Sequence, residues 1–141
     1  MLSCHIPNPR IIKRLNSLNK FFDESYLLYW ERDFGNGLSF AGIEGVISES
    51  ISATPNPSLV KRIFENRTLR GKTVRKILMY DPDVIYISGV EQLLTIKKIP
   101  FKRRPVIILE IADLPSNTHI EKLGFFGKFV EKKLVNLVKE I

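Results

Sequence analysis

The sequence is poor in the residues that make small-protein chemistry easy to see. It has one cysteine, Cys4, and two histidines among 141 residues. A lone thiol cannot form an internal disulfide, so the core and not cross-linking must hold the fold. Cys4, His5 and the distant His119 do not make a metal set, because no second pair with ligand spacing exists. Long apolar runs are missing as well. The longest lies within residues 105 to 112, far short of the ~20 residues that a membrane-spanning helix needs. Met1 to Arg10 lacks the apolar core of a signal peptide. Internal repeats and low-complexity segments are absent too, and a cytoplasmic location is the default expectation.

The 44% hydrophobic and 26% charged residues are the shares of a soluble globular protein. At 141 residues the chain suits one domain, large enough for a real core and too small for two. Lys and Arg number 22 against 15 Asp and Glu, a net charge of +7. That balance suits an anionic partner such as nucleic acid, a phosphorylated ligand or an acidic membrane face. It equally suits a solvated basic surface, and charge alone does not choose.

Asn8-Pro9 reads as a helix cap followed by proline at the first helical position. Ile11, Ile12, Leu15, Leu18 and Phe22 then recur at helical spacing, which predicts a first helix from about Pro9 to Phe22. Tyr26 to Trp30 reads as a strand, and a short strand is expected around Gly45 to Ile51. A second Asn-Pro cap, Asn56-Pro57, opens a long helical segment in which Leu59, Ile63, Val74, Ile77 and Leu78 can face the core. Gly71 is a point where that helix can break in two. VIYIS, 84 to 88, lacks polar alternation, as in a strand covered on both faces. VEQLLTIKKI returns to helix, Pro105 to Ile111 to an apolar strand that should be buried, and Thr118 onward to a last helix with one apolar stripe.

Strands alternating with helices argue for a parallel sheet with right-handed crossovers, a Rossmann-like three-layer α/β/α domain. Met1 to Ile6 resembles the tail of a first strand. Ligands of such sheets sit at the carboxyl ends of the strands, where strand order reverses. Pro7 to Arg10, Ser88-Gly89 and Glu110 to Ser116 fall on that edge, and the basic KKIPFKRR, 97 to 104, falls on the opposite one. Asn8, Arg10, Lys13 and Arg14 stand where free N–H groups and the helix dipole favour an anion, although ordinary capping beside a solvated basic face fits equally. Glu110 or Asp113 can accept a hydrogen bond from a sugar hydroxyl or serve as a base, or can cap the following loop.

Several motifs fail on inspection. NRTLRGKT, 66 to 73, ends like a phosphate-binding loop, but its first glycine is Asn66 and it follows a helix. GNGLSFAG lacks the third glycine at the spacing a dinucleotide fingerprint requires, and no helix opens on it. Phe21, Phe22, Tyr29 and Trp30 sit in apolar runs and read as core, so a stacking surface for nucleic acid is not expected.

The order of three stretches, NPRIIKRLNSLNKFFD, DPDVIYISGVEQLL and RPVIILEIADLP followed by GKFVEKKLVNLVKEI, resembles the N-terminal half of GT-B glycosyltransferases. The likeness is to the glycosyltransferase family 4 enzymes of bacterial capsular polysaccharide and lipopolysaccharide synthesis. It implies one half of a GT-B fold, in an enzyme that moves a sugar from a nucleotide-sugar to an acceptor held mostly by this half. It implies no metal and no other cofactor. The family's donor-binding glutamate pair, two Glu separated by seven residues, is nowhere in the chain. On this resemblance residues 1–141 form a single domain, incomplete at both ends and without the nucleotide-sugar domain, and the chain alone is not catalytically competent. Its partner would be a sugar or lipid-linked sugar acceptor, with nucleotide-sugar engaged only alongside the second domain, no nucleic acid, and peripheral contact with the inner membrane face. By the resemblance Asp113 matches the catalytic-site aspartate, with Ala112 where relatives have histidine, and Ser88 stands where histidine often follows the fourth strand. Asn8 and Arg10 match the first-helix loop that lines the acceptor crevice. The other reading is a free-standing Rossmann-like binding module with a basic surface, docking through its last helix.

Overall fold

The computed structural model describes residues 1–32, 40–54, 58–88, 92–97, 99–110 and 136. Their order is β1 (Leu2–Ser3), α1 (Pro9–Leu18), a 3-10 turn (Asn19–Phe21), β2 (Ser25–Glu31), β3 (Val46–Ser52), α2 (Leu59–Tyr80), β4 (Val84–Ser88), α3 (Leu93–Ile96) and β5 (Val106–Glu110). All five strands run parallel in one sheet ordered β3-β2-β1-β4-β5, the Rossmann-like α/β arrangement that alternating strands and helices imply.

The main core lies on one sheet face. Leu2, Leu28, Trp30, Ile51, Ile85 and Ile87 point from the strands to meet Leu69 and Ile77 of α2 and Leu93 and Ile96 of α3. Two-residue alternation puts Ser3, Leu27, Tyr86, Ser88 and Glu110 on the other face, where α1 lies with Ile11 and Leu15 buried. Asn8 starts α1 as its composition suggests: its Oδ1 accepts from the Ile11 N–H at 3.0 Å, and Pro9 takes the first helical position. Burial pushes the Met1 amine down to about 5, so the strand end that it donates from, to the Tyr26 carbonyl, is neutral at pH 7.

Four expectations need correction. First, α2 runs unbroken through Gly71. Leu69, Thr73 and Ile77, four residues apart, anchor one side of the helix, and continuing it is easier than nucleating a second one. Its end is set by Asp81, left-handed at φ 44°, whose N–H reaches the Ile77 carbonyl at 3.0 Å. Second, Leu78 is 44% exposed, because the stripe that faces the sheet passes through 69, 73 and 77. The side chains of Leu59 and Ile63, and the Asn56-Pro57 cap, lie outside the described residues, and Ser58 occupies the cap position. Third, Phe21 and Phe22 are 79% and 42% exposed, since the chain tightens into a 3-10 turn after Leu18 and swings them off the α1 stripe. Fourth, β5 is not fully buried: Val106 and Ile108 point to the α1 side of the sheet and are 62% and 41% exposed. In β4, likewise, burial alternates, with Ile85 and Ile87 buried and Val84, Tyr86 and Ser88 half-buried.

Gly71 offers a clean test of the helix. A Cβ built there meets nothing within 4 Å. Gly71→Ala will therefore raise stability by about 0.5–1 kcal/mol by removing backbone freedom from the unfolded chain. Urea unfolding followed by circular dichroism reads this directly, and a lowered midpoint would show that α2 bends there.

Candidate ligand-binding edge

Every strand ends on the same edge because the sheet is parallel. The chain leaves β1 toward β2 and β3 on one side and returns to β4 and β5 on the other, so strand order reverses between β1 and β4. Helices then diverge from the sheet on opposite faces at that point, opening the crevice in which parallel α/β domains hold ligands. Register aligns the strand ends there: Ser3 pairs with Ser88, and Ser88 with Glu110.

The densest polar group at this edge joins α1 to β5. Arg10 and Arg14, four residues apart on α1, both bring Nη2 to Glu110 Oε1, at 2.8 and 2.9 Å. The Tyr86 hydroxyl donates to Glu110 Oε2 at 2.7 Å from two residues before Ser88 on the same face. The Glu110 side chain is 9% exposed, while the arginines are 56% and 46% exposed. Burial works to raise the Glu110 carboxyl, but the Tyr86 hydrogen bond and the two guanidinium charges outweigh it and hold the group below the usual carboxylate range. Burial, and then the bond to Glu110, push the Tyr86 hydroxyl up to about 12. At neutral pH the cluster thus holds two cations, one carboxylate and one phenol that remains a donor.

Gln92 secures the crevice floor. It is almost fully buried, donates Nε2 to the Ser3 carbonyl at 3.3 Å, and so ties the segment after β4 to the end of β1. Ser3 Oγ in turn donates to the His5 carbonyl at 2.9 Å, shaping the turn that leads to α1. A second polar group stands farther along, where β2 and β3 end. Arg32, 2% exposed, donates Nη2 to Asn66 Oδ1 at 2.9 Å, lies 3.7 Å from Glu65 Oε2 and covers the Trp30 ring at 5.5 Å. Glu65 Oε1 accepts from the Thr54 N–H at 2.6 Å. This group binds α2 to the sheet and leaves Arg32 closed to solvent.

The sequence-derived candidates divide accordingly. Arg10, Glu110 and Ser88 converge on the edge. Asn8 is there too, but its Oδ1 is committed to capping α1. Lys13 lies on the outer side of α1, lining a shallow hollow of about 410 Å³ with Pro9, Ile12 and Asn16, away from Glu110. Gly89, Ala112 and Asp113 lie outside the described residues. Arg14, expected beside Arg10 in the first turns of the helix, joins the cluster, and Tyr86 completes it without having been singled out. Their spacing carried the signal: Arg14 is one helical turn from Arg10, and Tyr86 is one pleat repeat from Ser88. Residues 99 to 104 of the basic segment lie before β5 at the opposite edge, where Arg103 Nη1 meets Asp83 Oδ1 at 3.0 Å.

Among the described residues no three His, Cys, Asp or Glu side chains could hold one metal ion, and no helix is long and apolar enough to cross a membrane. Fold and edge together define a Rossmann-like α/β domain with a charged carboxyl edge. No protein family, curated protein or solved structure matches the chain.

Proposed function

We propose that the chain is the acceptor-binding half of a glycosyltransferase that moves a sugar from a nucleotide-sugar in the synthesis of a bacterial surface polysaccharide. One observation carries this reading: the first-helix arginine, picked out by the family resemblance, and the fifth-strand carboxylate, picked out by the carboxyl-edge rule, meet in one cluster beside the reversal of strand order. A carboxylate kept ionised there can accept a hydrogen bond from an acceptor hydroxyl, and exposed guanidinium groups can hold an anionic part of the same molecule.

In the reaction, the acceptor hydroxyl attacks the anomeric carbon of the donor sugar, the bond to the nucleotide diphosphate breaks, and the hydroxyl proton passes to a base. Asp113, three residues past the end of β5, takes that role by the resemblance. On this reading the nucleotide is held by the second domain of such an enzyme, and residues 1–141 hold the acceptor. Its setting is the cytoplasmic face of the membrane, where lipid-linked acceptors are presented.

Titration calorimetry with a panel of polyprenyl-diphosphate-linked sugars and with UDP-, GDP- and dTDP-sugars checks the division of labour. Saturable binding of at least one acceptor and none of a nucleotide-sugar below millimolar concentration is the expected outcome. Tight binding of a nucleotide-sugar would reverse the assignment of halves.

A further inference from the structure

The arginine pair is overbuilt for the carboxylate it holds. Arg10 and Arg14 converge on the same oxygen of Glu110, at 2.8 and 2.9 Å, so two cations share one negative charge. Each guanidinium has a fork of N–H donors, of which a single-oxygen contact uses a small part. The two arginine side chains are about half exposed, while the Glu110 side chain they meet is nearly buried. The first turn of α1 contains no acidic residue, so nothing in it offsets the surplus. Tyr86 fixes the other carboxylate oxygen from below at 2.7 Å, which keeps Glu110 from following the arginines outward. The result is a pair of half-exposed guanidinium groups held side by side by a nearly buried carboxylate at the crevice. A tetrahedral phosphate dianion has enough oxygens to accept from two adjacent forks at once.

We infer that Arg10 and Arg14 form a phosphate subsite at this edge, one that takes a phosphate monoester or diphosphate, and that Glu110 is a positioning residue that holds the two guanidinium groups ready. The anion contacts the arginines on their exposed faces, and its charge competes with Glu110 for them. The identity of the rest of the ligand rests on the acceptor reading above; the anion site itself does not.

Titration calorimetry at low salt with inorganic phosphate, glucose 1-phosphate, glucose, and vesicles of phosphatidylcholine with and without phosphatidic acid tests this. Phosphate and glucose 1-phosphate will bind, and Arg10→Ala/Arg14→Ala will weaken both by about tenfold or more, as expected for the loss of charge-assisted hydrogen bonds. Glu110→Gln, which keeps the shape but removes the competing charge, will tighten phosphate, and Lys102→Ala at the opposite edge will leave it unchanged. Circular dichroism melts of each variant establish that a loss is not unfolding. Binding to phosphatidic acid vesicles without glucose 1-phosphate binding would place the anion on a lipid; the reverse would place it on a soluble sugar phosphate. An affinity unchanged in a folded Arg10→Ala/Arg14→Ala variant, or no binding of any phosphate compound, overturns the subsite. Phosphate binding with no acceptor bound overturns the glycosyltransferase reading and leaves the subsite standing, whereas acceptor binding indifferent to both arginines does the opposite.

Discussion

Trp30→Ala will destabilise the domain by about 3–5 kcal/mol, the range for truncating a buried aromatic side chain. Trp30 is fully buried in the middle of the core, between the sheet and α2. Its removal opens a cavity that β2, held between β1 and β3, cannot close by moving. Polar losses add to this. The indole Nε1–H donates to Thr73 Oγ1 at 3.0 Å, and that hydroxyl donates to the Leu69 carbonyl at 2.9 Å. Thr73 would keep its donor role but lose the donor that satisfies its oxygen, in a place that water does not reach. The Arg32 guanidinium would also lose the ring that it covers. Urea unfolding by far-ultraviolet circular dichroism measures the change without relying on the lost fluorophore. A cost below about 1 kcal/mol, the size of a surface change, would show that the sheet and α2 do not pack through this residue.

Glu65→Ala is the second large effect, about 3 kcal/mol or more, because it leaves a buried cation without its counter-charge. Arg32 would keep the Asn66 oxygen and the Trp30 ring, both neutral, and the Thr54 N–H would lose its acceptor. The companion variant separates charge from packing. Arg32→Met/Glu65→Leu removes both charges and will recover most of the loss, since a buried ion pair is a costly way to fill space. The effect also has a pH signature. Burial works to raise the Glu65 carboxyl, but the Thr54 hydrogen bonds and the Arg32 and Lys61 charges bring it below its ordinary 4.5. A carboxyl with a folded value below its unfolded one contributes stability that is present above the unfolded value and fades as the pH falls through the folded one. The gap between wild type and Glu65→Ala will therefore be full at pH 7 and will narrow below about pH 4.5. A double variant as unstable as Glu65→Ala at pH 7 would mean that shape, not charge, matters at this position.

Much of the architecture was legible because its signals are local and repeated. Asn8-Pro9 fixes the start of α1, and the apolar spacing of Ile11 and Leu15 fixes the side that it buries. VIYIS and VIILE are short apolar runs bounded by turn residues, which reads as strands, and both are strands of the parallel sheet. What was not legible depends on position in the assembled sheet. Composition cannot say that β5 is an edge among the described strands, so Val106 and Ile108 read as core although they face solvent. Gly71 reads as a breaker until the side of α2 it occupies is known, and that side is the open one.

The site divides in the same way. The rule that ligands gather at the carboxyl ends found Arg10, Ser88 and Glu110, since each sits next to a strand end in the sequence itself. It brought in Lys13 by proximity in the chain, although helical rotation carries Lys13 to the outer side of α1. It reached Arg14 beside Arg10 as well, but Tyr86 needed the converse step, from the facing of its strand to a shared partner, before it could be attached to Glu110. Arg32 had no signal at all. A charged residue at the end of an apolar strand reads as a turn to solvent, and only the fold shows Glu65 and Asn66 of α2 closing over it.

The central claim is that this domain meets its ligand at the edge where Arg10, Arg14, Tyr86, Ser88 and Glu110 gather. Two-dimensional amide NMR of the labelled chain, titrated with an acceptor such as a short-chain polyprenyl-diphosphate sugar, tests it most directly. Saturating shift changes concentrated in Ser3 to Arg14, Tyr86 to Ser88 and Leu109-Glu110 are the result predicted. Changes centred instead on the opposite edge, at Phe21, Phe22, Asp81 and Lys102 to Arg104, with the Arg10–Glu110 region unmoved, would contradict it.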